Sequence, residues 1–327
     1  MVRAKHRSLA CRLGLEGVNG CSRPGTGPAA GPRSLVAVAP SDNLAVGVEH
    51  YENFPVASWL CPPGIRDAVV ALYHYARTAD DIADEGPLSS EERLTQLRVY
   101  KLGLELMLQG KPEAADPRWR NVFVKLHEAH LRHQWPAQPL RDLLDAFEQD
   151  VPNPVYEDRK ALLDYCRRSA NPIGRLLLHL QGVSDERRLK MSDQICTALQ
   201  LINFWQDISV DNRRGRVYVT RCDAAAHQLP WPPFQDGFDQ RRARTLVAEL
   251  CHWARQTMQA GARLPLEIGG RMGLELRLVV QGGFRVLEKI ERMDHQTFLR
   301  RPVLSGWDAA PVLWRACIMG LSGRANG

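Results

Sequence analysis

The sequence predicts an all-α protein, a single domain of many helices gathered around a central cavity. Three observations predict it. Apolar residues recur at three- and four-residue steps along most of the chain, whereas period-two alternation is sparse. Two of these helical stretches carry carboxylates on faces that are otherwise apolar. With 44% hydrophobic and 24% charged residues over 327 positions, the chain has enough apolar matter for a sizeable core and is not disordered as a whole.

Residues 1–45 differ from the rest, being rich in Arg, Gly, Ser, Pro and Ala, with hardly any acid before Asp42. A disordered leader or an upstream start codon is expected; a transit peptide would also be basic and acid-poor. The globular domain is expected over 46–300, with 301–327 as a tail. Near its start lies His50-Tyr51-Glu52-Asn53-Phe54-Pro55-Val56.

The first strong helix carries Ile65, Val69, Leu72, Ala76, Asp80 and Ala83 on one stripe and stops at Gly86-Pro87. Its geometry puts Asp80 and Asp84 one turn apart, with Asp81 beside them. A buried carboxylate needs a cation or a metal. The alternative is an exposed helix end rich in acids, although acids favour the opposite end. Residues 89–131 read as charged helix broken near 111–117, 140–150 as an amphipathic helix, and 151–154 as a turn.

The stretch 161–181 contains Tyr165 and then Asn171-Pro172-Ile173-Gly174, so it should kink or unwind there, or else end at a plain helix boundary. In 199–219, Asn203, Asp207 and Asp211 stand at four-residue steps on one face. Arg213, Arg214 and Arg216 follow in a loop, as forks suited to phosphate oxygens. Two carboxylate sets facing one another across a helical cavity suit Mg²⁺, which takes a few carboxylates plus substrate phosphate oxygens. A loop over 222–238 and helices over 240–263 and 264–293 complete the pattern. The most apolar part of the tail, 311–321, is too short to cross a membrane, and no run of 18 apolar residues occurs.

The two acidic motifs together resemble those of the squalene/phytoene synthase family, over residues from about 50 to about 292. Tyr73, Arg77, Asp80, Asp81 and Asp84 match its Tyr-x-x-x-Arg-x-x-Asp-Asp-x-x-Asp. Gln200, Asn203, Asp207 and Asp211, with Arg213 (or Arg214), Gly215, Arg216 and Tyr218, match its second motif. The resemblance implies an isoprenoid synthase fold and a prenyl diphosphate substrate. It also implies two or three Mg²⁺ ions held with the diphosphate by Asp80, Asp81, Asp84, Asp207 and Asp211. Catalytic roles then fall to Tyr73, Arg77, Tyr165 and Asn203. Substrate contacts fall to His50, Asn53, Phe54, Gln200, Gln206, Arg213, Arg214, Arg216 and Tyr218. Core packing for Tyr73 and a helix-start hydrogen bond for His50 are the competing readings.

Departures from the family pattern narrow the reaction. Gln206 stands where Arg is common, Tyr51 and Asn53 replace serines, and Gly282-Gly283 falls at a late aromatic position. Fewer cations and hydroxyls suggest a site for one diphosphate. The pattern is similar to the branch of the family that ionises presqualene diphosphate and lets water capture the cation to give hydroxysqualene. That branch needs no NADPH, and no Gly-rich dinucleotide fingerprint is visible. The alternatives are a presqualene diphosphate or phytoene synthase joining two prenyl diphosphates, a catalytically silent assembly partner, and a lipid-binding module without chemistry.

The charge balance of 43 basic to 37 acidic residues suits an anionic substrate or an anionic membrane surface. Without a basic stripe interleaved with aromatics, nucleic acid is not expected. Eight cysteines without a Cys-x-x-Cys pair suggest a reduced, cytoplasmic chain. Peripheral membrane contact and the preceding and following pathway enzymes are the partners compatible with this reading.

Overall fold

The computed structural model describes residues 61–324. Among these the regular structure is helical, without a strand. In order the helices are α1 (Pro63–Asp84), α2 (Ser90–Leu108), α3 (Arg120–His133), α4 (Ala137–Asp150), α5 (Arg159–Ser169), α6 (Asn171–Leu180), α7 (Glu186–Asn212), α8 (Arg221–Ala226), α9 (Gln240–Gly261), α10 (Leu264–Ile268), α11 (Gly270–Arg292) and α12 (Gly306–Arg324). A 3₁₀ turn, Pro112–Ala114, marks the break expected near 111–117.

Local chemistry sets the boundaries. Pro63 opens α1, and Gly86 at φ +86° follows its end. A capping box starts α2: the Ser89 hydroxyl accepts from Glu92 N at 3.3 Å while Ser89 N donates to the Glu92 carboxylate at 2.8 Å. Asp185 and Asp239 cap α7 and α9 in the same sense.

Two apolar cores result. In the first, α1–α4 bury Tyr75, Tyr100, Phe123, Leu126 and Leu140. The Tyr75 hydroxyl donates to Leu140 O at 2.8 Å and the Tyr100 hydroxyl to Tyr75 O at 3.0 Å, so neither phenol is buried without a partner. The second core gathers α5, α7, α9 and α11 around Tyr165, Phe204, Trp205, Leu250, Met258 and Leu287. Between them α6 gives Leu176 to the first core and Leu178 to the second. Helices α7 and α9 cross at close range. A Cβ at Gly261 would lie 2.4 Å from the Met191 carbonyl oxygen, so only glycine lets the backbones meet there.

One open alternative is decided, in favour of a helix boundary, and two expectations are corrected. The stretch 161–181 is two helices, since Ala170 (φ −117°, ψ −47°) breaks the run and Pro172 sits in the first turn of α6, where its missing N–H costs nothing. The stretch 264–293 divides at Gly269, whose φ of +64° ends α10 before α11 begins. The expected loop over 222–238 contains most of α8, because the Thr220 hydroxyl accepts from Asp223 N at 3.0 Å and caps a short helix.

Candidate active site

Both acidic motifs fall in the last turns of long helices, Asp80, Asp81 and Asp84 at the end of α1 and Asp207 and Asp211 at the end of α7. The helix dipole disfavours acids at this end. Burial adds to the cost, since Asp80, Asp207 and Asp211 are all buried. Something outside the helices must offset these penalties.

Arginines supply part of it. Arg77, one turn before Asp80, pairs with Asp80 at 3.2 Å, Asp81 at 2.5 Å and Glu85 at 2.7 Å. Arg216, in the loop after α7, reaches back to grip Asp84 with both Nη atoms, one of them at 2.9 Å, and donates from Nε to Asn153 Oδ1 at 3.1 Å. This two-pronged grip ties the end of α1 to the end of α7. Gly215 makes the turn, at φ +70°. On α7, Asp207 pairs with Arg301, which comes from the segment before α12. The same segment accepts the Gln206 amide at Pro302 O (2.8 Å) and receives Ser209 N at Thr297 O (3.0 Å).

The remaining candidates occupy distinct places. On α7, Gln200 and Asn203 are buried, and neither Gln200 Nε2 nor Asn203 Oδ1 has a hydrogen-bond partner among the described residues. Both stand on the face that leads to Asp207. The Tyr165 hydroxyl donates to Asp150 Oδ2 at 2.6 Å, within an aromatic cluster of Tyr156, Phe204 and Tyr218. Burial, then the Asp150 carboxylate, holds that phenol far above its usual pKa. Tyr218 stacks on Phe204 with centroids 3.8 Å apart, and both line a hollow of about 220 Å³ shared with Asp211 and Arg216. Tyr73 is half-buried against the small cluster of Ile65, Val69 and Met272. Arg213 is exposed, and Arg214 donates from its backbone N to Asp211 O at 2.9 Å. His50, Asn53, Phe54 and the leader expected over 1–45 lie outside the described residues.

Asp81 is set apart from its neighbours. Burial pushes its carboxyl up to about 6 against the pull of Arg77, with Glu85 adding to the rise.

Among the described residues, no three acidic, His or Cys side chains converge into a ready-made metal cage. The donor set nonetheless suits Mg²⁺. Every candidate ligand is a hard oxygen, and Asn203 Oδ1, buried and without a partner, stands one turn before Asp207. Mg²⁺ ordinarily takes one or two carboxylates and completes its shell with substrate oxygens and water, so separate acidic sets are compatible with it.

An apolar pocket of about 730 Å³, part of it open to solvent, begins further back along the same two helices. Val69 of α1, Leu177 and Leu178 of α6, Leu199 of α7 and Leu276 of α11 line it. At 1.5 Å per residue, Leu199 lies about 12 Å before Asp207 and Val69 about 16 Å before Asp80. Polar heads and apolar walls thus share one pair of helices.

Sequence reasoning missed Arg301, which sits 94 positions from its partner Asp207. The only local signal is the pair Arg300-Arg301 ahead of Pro302, in what reads as tail. Asp150, the partner of Tyr165, was missed as well and carries no motif.

Comparison with known proteins gives the family and the fold. The squalene/phytoene synthase family model matches residues 48–308. A hydroxysqualene synthase of Rhodopseudomonas palustris is 35% identical over 250 residues, 74% of this chain and 80% of that protein. One from Zymomonas mobilis is 40% identical over 172 residues, 51% of this chain and 54% of that protein. Among solved structures, squalene synthase HpnC from Alicyclobacillus acidocaldarius has a TM-score of 0.66 at 31% identity, covering 75% of this chain and 90% of that one.

Proposed function

The chain belongs to the squalene/phytoene synthase family as a hydroxysqualene synthase-like enzyme, and from that premise we propose that it converts presqualene diphosphate to hydroxysqualene and diphosphate. In this reading Asp80, Asp84, Asn203, Asp207 and Asp211, with Asp81 at the rim, hold Mg²⁺ together with the substrate diphosphate. Bound Mg²⁺ would neutralise the charge that develops on the leaving group.

The chain's own residues do the rest. Arg216 and Arg301, clamped on Asp84 and Asp207, bring their guanidinium charge to the place of the diphosphate oxygens. Arg77 keeps Asp80 and Asp81 in place. Gln200 offers its unpartnered Nε2 as a further donor. Ionisation breaks the C–O bond, the electron pair leaves with diphosphate, and the carbocation rearranges. Water then adds and loses a proton. The aromatic cluster of Tyr165, Phe204 and Tyr218 lends its ring faces to the cation, which is worth roughly 1–2 kcal/mol where desolvated. The apolar pocket receives prenyl chain and keeps stray water from the cation. The catalytic unit begins near residue 46 and extends past 300, because Arg301 belongs to it.

The observation that carries the choice of reaction is at Gln206. Where the family commonly has an arginine, this side chain is buried and its amide is spent on the Pro302 carbonyl. Half-buried arginines from outside the two helices reach their acids, Arg216 to Asp84 and Arg301 to Asp207. A glutamine in place of an arginine leaves one cation fewer for diphosphate oxygens, which favours a site for one diphosphate rather than two.

Turnover of presqualene diphosphate in ¹⁸O-enriched water tests it. The expected product is hydroxysqualene carrying ¹⁸O at the hydroxyl. An unlabelled hydroxyl, or release of an unrearranged alcohol, contradicts water capture after rearrangement.

A further inference from the structure

The last helix is anchored on its inner side by ion pairs and apolar on its outer side. Its inner side is fastened to α11: Asp308 accepts from Arg285 Nε at 2.8 Å and pairs with Lys289, Arg315 pairs with Glu288, and Arg277 donates to Ala316 O at 3.1 Å. Its outer side carries Trp307, Ala310, Leu313, Trp314 and Cys317, all exposed. Trp307 is 91% exposed and Trp314 is 68% exposed. From Gly306 to Ile318 no charged side chain stands on that outer face, because Asp308 is turned inward and Arg315 is engaged at the flank. Leu299 and Val303, in the segment leading into the helix, extend the exposed apolar surface.

Two large indoles in water are costly, and a solvated helix face is ordinarily polar. Charge narrows the choice of what covers them. From Gln296 to the end of the chain the charged side chains are Arg300, Arg301, Arg315 and Arg324 against the one acid, Asp308. That acid is buried and neutralised, so the charge this region shows to solvent is basic, with Arg300 exposed beside Leu299. Exposed tryptophans beside the exposed Arg300, with the nearest exposed acids, Glu291 and Asp294, already paired to Arg255 and Arg244, are complementary to an anionic lipid surface, where indoles favour the headgroup layer.

We propose that the outer face of α12, with Leu299, Arg300 and Val303, docks this enzyme on anionic membranes. No helix among the described residues is long and apolar enough to cross a bilayer, so the contact is peripheral. The position has a consequence for the site. Arg301 and Pro302, between the exposed Arg300 and Val303, hold Asp207 and Gln206, so the docking surface adjoins the carboxylate end of α7. A substrate with long prenyl arms can then pass between bilayer and site without crossing water. That use of the surface rests on the reaction proposed above; the docking does not.

The full chain would be floated with vesicles of phosphatidylcholine alone and of phosphatidylcholine with phosphatidylglycerol. Expected is flotation with the mixed vesicles, weakened about tenfold or more by W307S/W314S and reduced by Arg300→Glu and by added salt. Turnover of detergent-dispersed substrate should stay unchanged in W307S/W314S. Wild-type protein that stays behind with both vesicle types, or a double variant that floats as well as wild type, overturns the proposal. So does a concentration-dependent dimer that W307S/W314S dissociates without any vesicle binding, which would assign the face to a second copy. Flotation is read without turnover, so its failure leaves the reaction untouched, and an inactive protein can still float.

Discussion

At the scale of single residues, the acids of α1 and α7 were legible because helix period alone puts Asp80 with Asp84, and Asn203 with Asp207 and Asp211. Arg301 was not legible. Its partner lies far away in sequence, and only the packing of the segment before α12 against α7 brings the two together. The variant Arg301→Ala should therefore lower diphosphate release about 100-fold, the usual cost of losing one donor to a developing oxyanion. Arg301→Lys, which keeps charge but loses the fork, should recover part of the loss. Rates within twofold of wild type for Arg301→Ala would remove this residue from the site. Tyr165 entered through the family resemblance alone; its hydroxyl is committed to Asp150, so any role proposed for it falls to its ring.

At the scale of elements, helices were legible where the pattern was long and its ends carried chemistry, as in the Ser89–Glu92 box of α2. The division of α10 from α11 was hidden because Gly269-Gly270 interrupts an apolar pattern that continues on both sides, and only the positive φ shows the break. The α7–α9 crossing depends on a missing side chain. Gly261→Ala forces a methyl against the Met191 carbonyl and should cost about 1–3 kcal/mol in urea unfolding, as overpacking does. An unchanged midpoint would mean the helices separate freely. The attachment of α12 depends on Asp308. Against the burial that would raise it, Lys289, Ser305 and Arg285 hold its carboxyl well below the ordinary 3.8. A depressed value contributes stability above the ordinary value and loses it as pH falls below. Asp308→Asn should thus destabilise the protein at neutral pH, by about 1–2 kcal/mol because Arg285 and Lys289 are half-buried and keep Glu288 and Val303 O as partners, and flatten the stability profile below about pH 4. A variant with wild-type stability at pH 7 contradicts that anchoring.

At the scale of the whole molecule, the chain sets two apolar cores around acidic helix ends that burial and the helix dipole both disfavour. In the proposed function, stability is given up there for binding. Mg²⁺ with inorganic diphosphate should raise the thermal midpoint, since a ligand at 100 times its Kd adds about 2.7 kcal/mol. Asp207→Asn should abolish that rise while keeping the helical circular dichroism. A rise that survives in Asp207→Asn places the metal elsewhere. The measurement that bears most directly on function is a pair of incubations of purified protein with Mg²⁺ and no NADPH, one with farnesyl diphosphate and one with presqualene diphosphate, with products identified by mass spectrometry. Hydroxysqualene from presqualene diphosphate, and no product from farnesyl diphosphate, is the expected result. Presqualene diphosphate formed from farnesyl diphosphate, or inertness towards both substrates, would contradict it.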